Sequence, residues 1–93
     1  MHVEVREQVR DFLRQLAPEP RRAILAALSK LANESGDIKA LEGPLDGFYR
    51  LRIGRYRVIF RYLKGAKIQC VYLNTRSIVY EVFAQQLKDF LKE

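Results

Sequence analysis

The stretch that decides the fold is "GFYRLRIGRYRVIFRYL", residues 47–63, which holds five arginines, five aromatic residues and no acid. Its period is two. Tyr49, Leu51 and Ile53 alternate with Phe48, Arg50 and Arg52, and past Gly54 the residues Tyr56, Val58, Phe60 and Tyr62 alternate with Arg55, Arg57, Ile59 and Arg61. Successive strand side chains point to opposite faces, so the spacing predicts two strands, each with an apolar and a basic side. With Gly54 as a tight turn, the two pair antiparallel. If both apolar sides meet a core, Arg50, Arg52, Arg55, Arg57 and Arg61 project together from the opposite face. Like charges opposed across strands destabilise a sheet. Such a face calls for a counter-charge, either an acid such as Asp46 or Glu81 folding back or an anionic ligand.

The neighbouring segments extend this pair. After "KGA", the run "KIQCVYLNT" (residues 67–75) reads as a third strand, completing an antiparallel meander. The segment "SIVYEVFAQQLKDFLKE" (residues 77–93) places Val79, Phe83, Leu87, Phe90 and Leu91 at helical spacing. Upstream, "DIKALEGPLDG" (residues 37–47) reads as a loop punctuated by Gly43, Pro44 and Gly47. Before it, Ile24, Leu28 and Leu31 share one face of a helix with Pro20 in its first turn and Gly36 as C-cap. Val5, Val9, Phe12, Leu13 and Leu16 form the stripe of an earlier helix that "APEP" ends, and "HVEV" (residues 2–5) predicts a first short strand. The expected order is β–α–α–β–β–β–α: an α+β domain over residues 1–93, with an N-terminal helical hairpin packed on a small antiparallel β-sheet and the helices on one sheet face.

Ninety-three residues bury one modest core. The net charge of +6 is lopsided: residues 1–46 carry seven Lys/Arg against eight Asp/Glu, and residues 47–93 carry ten against three. A positive field confined to one half points to a polyanionic partner such as RNA, DNA or an acidic protein segment. The single cysteine, Cys70, excludes an internal disulfide and suits a reducing cytoplasm. With no leader pattern and no apolar run of spanning length, the expectation is a cytoplasmic protein without a membrane partner.

Most catalytic chemistries lack their residues. The only histidine is His2, no Cys/His or Asp/Glu cluster has metal-ligand spacing, and no phosphate-cradling glycine loop is present. No metal or other cofactor is expected, and Cys70, which alternates with Ile68 and Tyr72 along its strand, reads as core. One phosphate chemistry remains. RNA carries its own nucleophile, the 2′-hydroxyl, so cleavage needs orientation, charge stabilisation and proton transfer. Arginines supply the first two, and tyrosines stack on unpaired bases.

The run "LEGPLDGFYRLRIGRYRVIFRY", followed by a strand and "NTRSIVYE", resembles the RelE/ParE superfamily of bacterial toxin–antitoxin toxins along the whole chain. The resemblance implies a compact toxin of a type II system, held inactive by a cognate antitoxin. In the RelE-like branch, it implies a metal-independent endoribonuclease that cuts mRNA in the ribosome and leaves a 2′,3′-cyclic phosphate. Matching the motifs residue by residue assigns catalysis to Arg57 of "GRYRV" and to Arg76 and Tyr80 of "TRSIVY". It assigns RNA or phosphate binding to Arg50 and Arg52, with Arg55 and Arg61 added by their place in the basic run.

The chain also departs from the family pattern. Asn74 and Thr75 stand where active relatives often carry a further basic residue, and Arg50 and Arg52 stand where some carry lysines. Arginine stays protonated and moves protons poorly. Two other readings therefore stand beside the nuclease: a ParE-like gyrase inhibitor that cuts nothing, and an attenuated toxin that retains antitoxin binding.

Overall fold

The computed structural model of the chain describes residues 1–76 and 78–91, with residues 88–91 described by backbone alone. Strand β1 (His2–Val5) leads into helices α1 (Glu7–Gln15) and α2 (Pro18–Leu31). Strands β2 (Asp37–Ala40), β3 (Tyr49–Ile53), β4 (Tyr56–Leu63) and β5 (Lys67–Thr75) follow, with a short 3-10 turn at Gly43–Leu45 between β2 and β3. Helix α3 (Val79–Leu91) closes the chain. The five strands form one sheet in the order β1-β5-β4-β3-β2.

The α+β class, the helical hairpin and the meander β3–β4–β5 are as the periodicities predict, and three features differ. First, Asp37–Ala40 is a strand and not loop. It pairs antiparallel with β3, placing Asp37 opposite Arg52 and Lys39 opposite Arg50. Second, β1 pairs with β5 in parallel, so the sheet is mixed at that edge. Third, the helices lie on both faces. Helices α1 and α2 cover one face, burying Val9, Leu13, Ile24, Leu28 and Leu31 against Leu51, Val58, Phe60, Ile68, Cys70 and Leu73. Helix α3 lies on the other, where Val79 and Phe83 join Leu45, Phe48, Ile59, Val71 and Tyr72. The side chains of Phe90 and Leu91, placed on this helix's stripe by spacing, lie outside the described residues.

A bulge makes the second core possible. Ile59 pairs with Tyr72 but Phe60 pairs with Cys70, so Val71 is the extra residue on β5. Val71 and Tyr72 consequently both belong to the α3 face, while Cys70 and Leu73 stay with the hairpin. The arginine-bearing strands keep their alternation, because the extra residue lies in their neighbour.

Side chains complete the backbone pairing where strands and helices end. Gln8 donates Nε2–H to the Leu73 carbonyl at 2.8 Å and accepts from the Leu73 N–H at 2.8 Å, extending β5's pairing past the end of β1. Arg21 of α2 donates to the carbonyls of Leu13, Arg14 and Leu16 at the end of α1, where the Leu13 carbonyl also accepts from the Leu16 N–H. After α2, the left-handed turn is made by Glu34 (φ 55°), not by Gly36 as predicted. Gly36 instead opens β2 at φ 135°, where an added Cβ would stand 2.8 Å from Leu51 Cδ1. The positive φ favours glycine there, and an added Cβ would also push the tip of Leu51 aside.

Candidate functional site

Three side-chain rows cross the α3 face of the sheet, and they sort the arginines. The outermost row runs Asp37–Arg52–Arg57–Asn74 across β2, β3, β4 and β5. The next runs Lys39–Arg50–Ile59–Tyr72. The third holds Arg61 beside Gln69. Arg50, Arg52 and Arg57 are therefore neighbours, as alternation predicts, but the expected five-arginine face does not form.

Arg55 is not on the sheet face, because Ile53 pairs with Tyr56 and leaves Gly54–Arg55 as a two-residue turn. Gly54 takes the positive φ (57°) that such hairpin turns use, and the Arg55 guanidinium lies 5.6 Å from the Tyr56 ring centroid. Arg61 lies four residues along β4 from Arg57, about 13 Å away at the usual strand rise. Its Nε donates to Gln69 Oε1 at 2.9 Å, Gln69 donates to Glu4 Oε1 at 3.0 Å, and the guanidinium faces Phe48 at 6.0 Å. It belongs to a polar chain ending on β1.

The counter-charge is Asp37, an acid on the strand that sequence spacing leaves as loop. One carboxylate oxygen accepts a hydrogen bond from Arg50 at 3.0 Å, and the other forms an ion pair with Arg52 Nε at 2.9 Å. Arg50 also donates to the Asp37 backbone carbonyl at 2.8 Å. The hydrogen bond from Arg50, reinforced by the positive charges of Arg50, Arg52 and Arg57, holds the Asp37 carboxyl below its ordinary range. Arg57 is buried to 8% exposure, and its guanidinium donates to the carbonyls of Gly54 (2.7 Å) and Tyr56 (2.9 Å). It thus braces the β3–β4 turn from below while lying opposite Arg52.

Arg76 comes to the same end of the sheet. Its backbone N–H donates to the Arg55 carbonyl at 2.8 Å, and the residue is exposed. Tyr80, in the first turn of α3, is half-buried against the second core and lines an open cleft of about 420 Å³. Lys39, Ala40, Leu41, Glu42, Leu45 and Arg50 complete that cleft. It has an apolar floor, an aromatic wall and charged rims, a combination suited to a nucleotide. At the far side of the outer row, Asn74 donates to the Tyr72 hydroxyl at 3.2 Å and accepts from the Thr75 N–H at 2.8 Å.

The structure thus brings Arg50, Arg52 and Arg57 together, sets Tyr80 beside Arg50 and Arg76 beside the turn, and places Arg55 and Arg61 elsewhere. Asp37, Lys39 and Glu42 are the site residues that sequence reading missed. The signal for the strand was the alternation Asp37, Ile38, Lys39, Ala40, with Ile38 facing the hairpin core. Burial pushes the Cys70 thiol up to about 12, in keeping with a core residue. Among the described residues, no group of three or more His, Cys, Asp or Glu side chains has a metal-binding arrangement, and no helix is long and apolar enough to cross a membrane.

No protein-family model matches the sequence, and no curated protein does. Solved structures do match. The isolated RelE toxin of E. coli is similar with a TM-score of 0.67 at 16% identity, over 96% of this chain and 97% of that one. A chain of the toxin–antitoxin complex RelBE2 from Mycobacterium tuberculosis gives 0.66 at 24% identity, over 81% and 96%. A chain of the RelB–RelE antitoxin–toxin complex from Methanococcus jannaschii gives 0.63 at 23%, over 89% and 99%. The likeness is one of fold: this chain folds as the RelE-like toxins do. The fold implied by the resemblance to RelE/ParE toxins is borne out.

Proposed function

We propose that the chain is the toxin of a type II toxin–antitoxin pair and acts as a metal-independent endoribonuclease on ribosome-engaged mRNA. The observation that carries this reading is the grouping of Arg50, Arg52 and Arg57 beside the Tyr80 cleft on a RelE-like fold. In the reaction, the substrate's 2′-hydroxyl loses its proton and attacks the adjacent phosphorus. The P–O5′ bond breaks, the 5′-oxygen takes up a proton, and the products are a 2′,3′-cyclic phosphate and a 5′-hydroxyl.

Arg50 and Arg52, with Arg57 behind them, hold the phosphodiester and stabilise the charge that builds in the transition state. Tyr80 orients the 2′-hydroxyl or the neighbouring base, and Arg76 meets the strand at the turn end. Proton transfer is the slow part. The arginines of this assignment keep their protons, which leaves Lys39 and Glu42 of the cleft, with Tyr80, as the groups placed to exchange one. An acidic segment of the cognate antitoxin complements the basic half of the chain and masks these arginines, with both proteins in the cytoplasm.

The test is induced expression with growth recording and primer extension on a translated message, comparing wild type with the Arg57→Ala/Tyr80→Phe double variant. Growth arrest with cuts inside codons, both lost in the double variant and relieved by the neighbouring antitoxin gene, is the expected result. Arrest with gyrase-dependent DNA damage and uncut message assigns a ParE-like target instead. Growth unaffected by either protein leaves antitoxin binding as the retained activity.

A further inference from the structure

Asp37 occupies an unusual position for a carboxylate. It sits on the edge strand at the open end of the arginine row, and its two oxygens bind two different guanidinia. A phosphodiester would present its two non-bridging oxygens to the same pair. The two arginines depend on Asp37 to different degrees. Arg50 has a mostly buried side chain and is also held by the Asp37 backbone carbonyl, so most of its position survives without the carboxylate. The Arg52 side chain is 56% exposed, and among the described residues the Asp37 carboxylate, 2.9 Å from its Nε, is its one ion-pair partner.

We propose that Asp37 is a positioning residue that acts as a resident counter-anion: it holds Arg50 and Arg52 in the geometry that receives an RNA phosphodiester and competes with that phosphodiester for them. This rests on the RNA-cleaving reading of the site, and it names a device that reading does not contain. With Asp37 ionised, the cluster Asp37, Arg50 and Arg52 carries one net positive charge instead of two. The clasp lets the fold keep Arg52 opposite Arg57 without a ligand, since the carboxylate offsets the cross-strand repulsion. Binding weakens in return, because each incoming phosphate meets a carboxylate already seated on its donors.

The test uses the full chain and a labelled single-stranded RNA with 2′-O-methyl groups throughout, which removes the nucleophile and isolates binding. Dissociation constants are measured across a salt series for wild type, Asp37→Asn, Asp37→Glu, Arg52→Ala and the Asp37→Asn/Arg52→Ala double variant. Asp37→Asn should tighten binding by about 3- to 10-fold at low salt. It should also steepen the dependence on log salt by about 0.7, the increment for one more effective cation on a single strand. Asp37→Glu, which keeps the charge, should retain the wild-type slope, and the gain from Asp37→Asn should vanish when Arg52 is alanine. A merely structural Asp37 would give the opposite sign, with Asp37→Asn weakening binding in step with a lowered melting temperature.

Inorganic tripolyphosphate, titrated into the same variants, separates this inference from the reading beneath it. RNA binding by wild type that Asp37→Asn does not tighten overturns the clasp and leaves the RNA reading standing. Tripolyphosphate binding tightened by Asp37→Asn, with no RNA binding by any variant, upholds the clasp and overturns the RNA reading.

Discussion

The two faces of the sheet are built from the same strands and solve opposite problems. On the hairpin face, Leu51, Val58, Phe60, Ile68, Cys70 and Leu73 are almost fully buried under α1 and α2. On the other, α3 covers only Ile59, Val71 and Tyr72 with their neighbours, and the outer end is left to Asp37, Arg50, Arg52 and Arg57. Apolar burial contributes about 25 cal/mol per Å², whereas exposed ion pairs contribute about 0–1 kcal/mol each. The hairpin core and the smaller core under α3 therefore supply the stability, and the outer end of the α3 face can hold a charge arrangement that contributes little to it. Proteins place their ligand-binding groups on such a surface because it can be poorly satisfied without unfolding the chain.

The largest effect that would break this division is in the hairpin core. Phe60 is fully buried, stacked on Tyr49 at 5.6 Å and edge-on to Tyr62 at 5.7 Å. Phe60→Ala should cost about 3–5 kcal/mol in urea unfolding, enough to leave a domain of this size marginal. An effect below about 1 kcal/mol would mean that the hairpin face is not where the stability lies.

Next is the backbone that delivers the counter-charge. Gly36→Ala forces a non-glycine residue into φ 135° and sets a Cβ 2.8 Å from Leu51 Cδ1. It should cost about 1–3 kcal/mol. Because Gly36 precedes Asp37, hydrogen exchange should show the β2 amides losing protection before those of β4 and β5. Uniform loss of protection across the sheet would show that β2 is part of the core cooperative unit and not a separable edge.

Much of this division was legible in sequence, and the failures have physical causes. Strong periodicities placed α1, α2, β3, β4, β5 and the stripe of α3. Strand β2 was missed because only Ile38 of its four residues turns inward and Gly43, Pro44 and Gly47 follow closely. Asp37 was lost with it, so the arginines looked uncompensated. Periodicity gives a helix its stripe but not the sheet face that receives it, so α3 was assigned to the wrong side. The apolar run Cys70, Val71, Tyr72 and Leu73 hides a bulge, since every residue suits a core. Arg55 was counted as a strand residue because Gly54 alone signalled the turn. Tyr80 and Arg76 were singled out only through the resemblance to RelE/ParE toxins. Tyr80's contribution to a cleft with Arg50 depends on where α3 lies over the sheet, which no local pattern encodes.

The alkaline limit sharpens the comparison further. Cys70 sits in the hairpin core with its thiol pushed up to about 12 by burial. The folded state keeps the proton where the unfolded chain, with an ordinary thiol, has lost it. Between the ordinary thiol pKa, about 8.5–9, and about 12, the folded state binds more protons, so stability falls as pH rises. Cys70→Ala should flatten the alkaline side of the stability profile relative to wild type, despite a lower plateau at neutral pH. Alkylation of Cys70 in the native protein should be slow and should accelerate with urea as the core opens. Rapid labelling without denaturant would show that the hairpin does not seal this face.

The smallest stability effect belongs to Arg52. Its side chain is half-exposed, its partner carboxylate is similarly exposed, and Arg57 stands directly opposite with the same charge. Arg52→Ala removes an exposed ion pair of about 0–1 kcal/mol and relieves a like-charge pair of similar size. The unfolding midpoint should therefore move little in either direction. Binding of a 2′-O-methyl RNA should nevertheless weaken, with the salt slope shallower by about 0.7. This separation, with stability unchanged and affinity reduced, distinguishes a ligand-facing surface from a structural one. A loss of stability as large as that of Gly36→Ala would instead make the Asp37–Arg52 pair part of what holds β2 to the sheet.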